Sequence, residues 1–271
     1  MHPVLFKLGP LAVHAYGLML ATSFVLGILL AARRAQRAGI DQNRIMDLGV
    51  LVAISAIVGA RLFYVAFHLD EFRGHWTDTF NPFQSSGEVG IGGLTLLGGV
   101  ILATVTSYLY LRAKKLSFLR VADAVAPSLG LGIFLTRIGC FLNGCCFGVP
   151  CHLPWAMTFP YGSPAHYHYG SVPLHPTQLY SSLGGLVMFL ALLALGRRRH
   201  FDGYLFFSFL VFYGIGRILV DFVRYYEPSM VLVHLGSVAL SMNQGISLLM
   251  LLVGIAGLIL GVRKRSATQT P

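Results

Sequence analysis

Val13-His14-Ala15-Tyr16-Gly17-Leu18-Met19-Leu20-Ala21-Thr22-Ser23-Phe24-Val25-Leu26-Gly27-Ile28-Leu29-Leu30-Ala31-Ala32 contains no Asp, Glu, Lys or Arg, and Arg33, Arg34 and Arg37 follow it at once. An apolar run of about 20 residues is long enough to cross the hydrocarbon core of a bilayer as a helix. The pattern recurs at 46–67, 91–111, 121–138, 179–195, 204–220 and 246–262, so the chain predicts seven spans. Arg33, Arg34, Arg37 and Arg44 follow the first span, and Arg112, Lys114, Lys115 and Arg120 the third. Arg197, Arg198 and Arg199 follow the fifth, and Arg263, Lys264 and Arg265 the seventh. Basic residues gather in cytoplasmic connections, so their restriction to alternate connections predicts an extracytoplasmic N-terminus and a cytoplasmic C-terminus. The expected fold is an all-α polytopic membrane protein with seven transmembrane helices.

Composition agrees. Of the 271 residues, 55% are hydrophobic and 11% charged, and the mean hydropathy is +0.70, well outside the range of soluble domains. The net charge of +10 sits beside the spans, which argues against a nucleic-acid footprint and for a lipid-bilayer partner. The first apolar run carries its basic cluster after it, so it is expected to remain as an anchor and not to be cleaved as a signal peptide. No soluble domain or internal repeat is evident. Residues 1–271 are therefore expected to form a single integral membrane domain, with outer segments at about 68–90, 139–178 and 221–245.

Arg61, Arg137 and Arg217 lie inside apolar stretches. A charge in hydrocarbon is costly, so each marks a functional candidate by default. In the expected topology all three lie near the outer leaflet, which suggests an anionic ligand such as a phospholipid head group. Tyr213, Arg217, Asp221 and Arg224 share one helical face by spacing. That stripe suits either a buried ion pair that fixes packing or an anion site, since one carboxylate cannot neutralise two arginines. The next candidate stretch is Thr136-Arg137-Ile138-Gly139-Cys140-Phe141-Leu142-Asn143-Gly144-Cys145-Cys146-Phe147-Gly148. Its glycines allow close backbone approach to a ligand or to another helix, Gly144 and Gly148 standing at small-xxx-small spacing. Arg137 and Asn143 add a cation and a two-way hydrogen-bonder.

This run resembles the signature of the prolipoprotein diacylglyceryl transferases, Gly-Arg-x-Gly-Asn-Phe-x-Asn-Gly-Glu-x-x-Gly. Further matches follow in order: His14-Ala15-Tyr16-Gly17-Leu18-Met19, Gly59-Ala60-Arg61-Leu62, Gly92-Gly93 with Gly98-Gly99, His175-Pro176-Thr177-Gln178-Leu179-Tyr180, Tyr213-Gly214 with Arg217 and Asp221, and Leu240-Ser241-Met242-Asn243-Gln244. The resemblance implies a multi-pass enzyme of the bacterial inner membrane, active on its extracytoplasmic face. Such an enzyme moves the diacylglyceryl group of phosphatidylglycerol onto the lipobox cysteine of a prolipoprotein signal peptide and releases glycerol phosphate. No cofactor and no metal are implied. The expected catalytic residues are Arg137, Arg217, Asp221 and Tyr16. The expected substrate-binding residues are Asn143, Gly144, Gly148, His14, Arg61, His175 and Gln178. Arg137 and Arg217 would hold the departing phosphate, Asp221 would orient Arg217, and Tyr16 and Asn143 would bond the head group.

Three positions depart from the family pattern in their chemistry, and a fourth, Asp221, more mildly. Leu97 stands where many members carry a histidine proposed as general base, Cys140 replaces the signature asparagine, and Cys145 replaces its glutamate. Asp221 in place of a glutamate keeps the carboxylate. Either the transfer depends on arginine electrostatics with another base, for which His14 and His175 are candidates or else structural histidines, or the chain is a non-catalytic or altered-specificity paralogue that binds phospholipid or lipoprotein. A transporter is a further rival for intramembrane charges, but no pair of matching broken helices supports one. Cys140, Cys145, Cys146 and Cys151 all fall in one outer segment. An oxidising exterior allows disulfides, and the spacing C-x4-C-C-x4-C fits no familiar zinc pattern.

Overall fold

The computed structural model describes residues 4–8, 11–72, 93, 95–198, 201–226, 231–235 and 238–269. A hairpin of β1 (Val4–Leu8) and β2 (Leu11–His14) leads into α1 (Ala15–Arg37). Then come α2 (Gln42–Phe67), a 3₁₀ turn at Leu69–Phe72, α3 (Leu96–Ala113), α4 (Phe118–Asn143) and the short α5 (Pro164–Tyr169). The chain continues with α6 (Thr177–Leu195), α7 (Tyr204–Asp221), a second hairpin of β3 (Val231–Leu235) and β4 (Val238–Ser241), and α8 (Met242–Gln269). Among the described residues, six helices are long and apolar enough to cross a membrane: Ala15–Arg37, Gln42–Phe67, Phe118–Asn143, Thr177–Leu195, Tyr204–Asp221 and Met242–Ser266. A shorter apolar helix, Leu97–Ala113, lies where the third span is expected. This is a multi-pass membrane protein.

Helices form over all seven expected stretches, as α1 to α4 and α6 to α8, and six of them, all but α3, have the length and apolarity of a span. The outer segment expected at 139–178 begins five residues late, because α4 continues to Asn143. Most of the segment expected at 68–90 lies outside the described residues. The two hairpins are not expected from the sequence. They share one antiparallel register with an irregularity at the same place, and both follow Val-Leu-x-x-Leu-Gly-x-x-Ala, at Val4 to Ala12 and Val231 to Ala239. The chain therefore does contain a short repeat, too brief and too weakly periodic to stand out against the helical pattern.

Local chemistry sets the helix boundaries. Asp41 accepts a hydrogen bond from the amide of Asn43 at 2.9 Å and so caps α2. Asp123 of α4 accepts from the amides of Gly203 at 2.7 Å and Phe206 at 2.9 Å, answering donors that the first turn of α7 leaves free. Packing pairs α1 with α4, α2 with α3, α4 with α6 and α7 with α8, and α4 also meets α7, which makes it the central helix. Between α2 and α3 a Cβ added at Gly59 meets the carbonyl of Gly98, and one added at Gly98 meets that of Gly59. Small residues at such a crossing allow the close van der Waals contact that holds helices together in lipid, where burial of apolar surface contributes little. Large apolar side chains accordingly face outward on the helices, as do Val25, Ile54 and Leu183.

Candidate active site

The site is built around the end of α4. Asn143 is its last residue and Gly144 closes it at φ 72°, in the left-handed region that favours glycine. A Cβ there would stand 2.7 Å from the Cβ of Ser163. Because the helix stops, Gly144 and Gly148 share no helical face, which corrects the small-xxx-small expectation. Gly148 instead lies in a seam of three segments. Its amide bonds the carbonyl of His175 at 3.0 Å, Val149 N bonds Val223 O at 3.0 Å, and Tyr225 N bonds Phe147 O at 3.2 Å. A Cβ on Gly148 would meet His175 Cβ at 2.5 Å and Val223 O at 2.6 Å.

The intervening residues are held from α6. Thr177 Oγ1 donates to Cys146 O and Gln178 Nε2 to Cys145 O, each at 2.8 Å. Both side chains are fully buried, so Gln178, expected to bind substrate, acts on the loop; its Oε1 has no hydrogen-bond partner. Cys146 is pinned at φ 62°, a conformation uncommon outside glycine. The four cysteines are free thiols. The sulfurs of Cys140, Cys145 and Cys146 all lie within 4.8 Å of one another, the one such group of metal-binding side chains among the described residues. Hydrogen bonds from Cys140 and then Cys145 hold the Cys146 thiol well below its ordinary range against the opposing effect of burial, and Arg224 and Arg137 push it the same way.

The second half of the site comes from α7. Arg217 Nε lies 3.3 Å from Asp221 Oδ1, and Nη2 donates to the Tyr226 hydroxyl at 2.6 Å. That hydroxyl donates to Asp221 Oδ1 at 2.6 Å, while Ser241 Oγ reaches Asp221 Oδ2 at 3.4 Å. Burial, followed by the hydrogen bond to Asp221, pushes the Tyr226 hydroxyl up to about 12, so it remains a donor at neutral pH. Arg217 Nη1 is buried without a partner. The expected stripe is shorter than its spacing predicts, since α7 ends at Asp221. Arg224 lies in a bridge to Gly148, with its guanidinium 5.2 Å from the centre of the Tyr226 ring and Nε unpartnered.

A cavity of about 440 Å³ opens between α4, α6 and α7. Arg137, Tyr180, Ser181, Tyr213 and Arg217 supply its polar lining, and Ile133, Met188, Phe212 and Leu219 are among its apolar walls. Arg137 also hydrogen-bonds Cys146. His175 Nδ1 lies 3.2 Å from the Tyr180 hydroxyl, which accepts from Trp155 Nε1 at 2.7 Å, so His175 reaches the cavity through Tyr180.

Of the other expected residues, Tyr16 and Asn143 stand beside the cysteines, while Arg61 and His14 fall elsewhere. Tyr16 stands in the first turn of α1, its Cα facing Gly139, within electrostatic reach of Cys140, Cys145, Cys146 and Arg137. Asn143 bonds Cys145 through its side chain. Arg61 is 2% exposed, hydrogen-bonds Gly93 O at 3.3 Å and packs over Phe72 at 5.0 Å; it does not line this cavity. His14 is an exposed strand residue ahead of α1. Leu97 is 63% exposed in the first turn of α3. Tyr226 enters the site without being singled out by the sequence, whereas Tyr180 and Cys146 stand in runs quoted from it but carry no expected site role.

The family profile described as prolipoprotein diacylglyceryl transferase matches residues 3–260. This chain belongs to that family. Three relatives are named phosphatidylglycerol–prolipoprotein diacylglyceryl transferase. The protein of Methylococcus capsulatus is 38% identical over 269 residues, covering 98% of this chain and 97% of its own length. That of Geobacter sulfurreducens is 36% identical, with coverages of 97% and 96%. That of Clostridium tetani is 32% identical over 259 residues, with coverages of 94% and 96%.

Proposed function

We propose that this chain transfers the diacylglyceryl group of phosphatidylglycerol to the lipobox cysteine thiol of prolipoproteins, releasing glycerol phosphate. The observation that carries this is the buried, unpartnered Nη1 of Arg217 in the lining of an otherwise largely apolar cavity. An unmade charge-assisted hydrogen bond is costly in such surroundings, and an anionic oxygen with acyl chains attached supplies both the missing acceptor and an apolar body. Family membership and the names of the relatives point to the same donor and acceptor.

In this reading the head group takes the Arg137–Arg217 end of the cavity and the acyl chains follow its walls. The acceptor sulfur forms a bond to the glyceryl carbon as the carbon–oxygen bond to phosphate breaks. The developing negative charge on that oxygen is stabilised by Arg137 and by Arg217 Nη1. Preorganised donors of this kind often contribute more to catalysis than any other single effect. The Asp221–Tyr226 pair fixes Arg217 in place beforehand. The thiol proton leaves towards Tyr180, which lines the cavity, and His175 behind it. Residues 1–271 act as one domain, with α3 as the third of seven crossings of a bacterial inner membrane. The N-terminus is extracytoplasmic, the C-terminus cytoplasmic, and the cavity's arginines lie on the extracytoplasmic side.

Leu97 favours a second reading, since an exposed leucine replaces a proposed base: binding of the lipid without transfer. One assay separates the two. Purified protein is incubated with phosphatidylglycerol micelles and a lipobox peptide. The expected result is a diacylglyceryl mass increment on the peptide's cysteine with an equal yield of glycerol phosphate. Lipid binding by folded protein with no increment overturns the proposal in favour of the second reading.

A further inference from the structure

The three clustered thiols have no part in the transfer proposed above, and two of them occupy positions where the family pattern has other residues. We propose that Cys140, Cys145 and Cys146 form a three-sulfur site for a single zinc ion, with a fourth coordination position left open.

Zinc–sulfur bonds of about 2.3 Å in a tetrahedron put the sulfurs about 3.8 Å apart. The three atoms already lie within 4.8 Å of one another, so side-chain rotations of less than about 1 Å at each sulfur complete the geometry. The backbone that carries them is fixed from outside the cluster: Thr177 and Gln178 hold the carbonyls of Cys146 and Cys145, and Cys145 N bonds Cys140 O at 3.2 Å. Cys146 is kept in a left-handed conformation of the kind retained at functional sites when the surroundings over-determine it. Charge also balances. Three thiolates and Zn²⁺ carry a net charge of −1, and Arg137 and Arg224 are the cations acting on Cys146. A thiolate-rich donor set selects zinc over the hard cations. A zinc ion with three protein ligands normally carries water or substrate as its fourth.

The consequence for transfer rests on the function proposed above. An acceptor thiol that displaces a zinc-bound water has its pKa lowered by the metal, so that its proton leaves more easily towards Tyr180 and His175 and the thiolate is held beside Arg137.

The test reads metal binding with no lipid or acceptor present, so its failure is distinct from failure of the transferase function. Reduced, metal-free protein in detergent is titrated with Co²⁺. The expected result is one equivalent bound, with a thiolate-to-cobalt charge-transfer band, displacement of cobalt by Zn²⁺, and protection of three of the four cysteines from alkylation. Cys151→Ser keeps the spectrum, because Cys151 is not part of the sulfur cluster and its amide is bonded to Pro173 O at 3.0 Å, whereas Cys146→Ser loses the band. A wild-type protein that gives no charge-transfer band, or that is isolated with a disulfide inside the trio, overturns the proposal whether or not the variants fold.

Discussion

Arg217→Lys keeps the positive charge and removes the planar fork. In the native site Nε faces Asp221, Nη2 is bound to Tyr226 and Nη1 is left over for the ligand. A lysine ammonium is one point with flexible donors; seated against Asp221, it neutralises the carboxylate but leaves the phosphate without its partner. Asp221 keeps the hydroxyls of Tyr226 and Ser241, so the expected loss of folding stability is small, roughly 1 kcal/mol. The lost hydrogen bond joins two charged groups and is worth about 1.5–3 kcal/mol, which corresponds to a fall of about 10- to 150-fold in kcat/KM. The assay is initial-rate transfer from phosphatidylglycerol to a lipobox peptide, normalised to folded protein, alongside thermal unfolding. If Arg217 serves only as half of a packing ion pair, the result is reversed: Tm falls and kcat/KM per folded molecule is unchanged. That outcome would refute the anion site.

Gly148→Ala forces a Cβ into His175 and Val223 and should cost about 1–3 kcal/mol by overpacking, measured as a lowered Tm with His175 displaced from Tyr180. Ionisation of Tyr226 breaks its hydrogen bond to Asp221; because its pKa is raised in the folded state, the stability it contributes is present below the ordinary tyrosine range and is lost as pH climbs to about 12. Tyr226→Phe should therefore flatten the alkaline limb of a Tm-against-pH curve, and an unchanged limb would assign it to another group. In intact cells of a cysteine-free background, Ser171→Cys should react with an impermeant thiol reagent and Thr268→Cys should not; the opposite pattern inverts the proposed orientation.

The spans are legible in the sequence because hydropathy is additive along the chain. A run such as 13–32 is apolar whatever it later packs against, and the helices α1, α2, α4, α6, α7 and α8 follow those runs. Arg137 and Arg217 are legible for a related reason, since a charge inside an apolar run has to be compensated somewhere. Where it is compensated depends on helix packing, which no local pattern encodes. Arg61 looks equivalent to the other two along the chain, yet the pairing of α2 with α3 places it against Gly93 and Phe72, while α4, α6 and α7 bring Arg137 and Arg217 to one cavity. Gln178 and Gly148 lie in polar motifs that suggest ligand contacts, but the return of the chain through His175 and Val223 uses them to build the loop. The cysteines show the limit most clearly. Their spacing matches no linear metal motif, and only the left-handed turns at Gly144 and Cys146, held by the buried first turn of α6, bring three sulfurs together. Local composition is enough to set the spans and the costly charges within them; the partners of those charges and thiols follow from packing, because each partner comes from a segment distant along the chain.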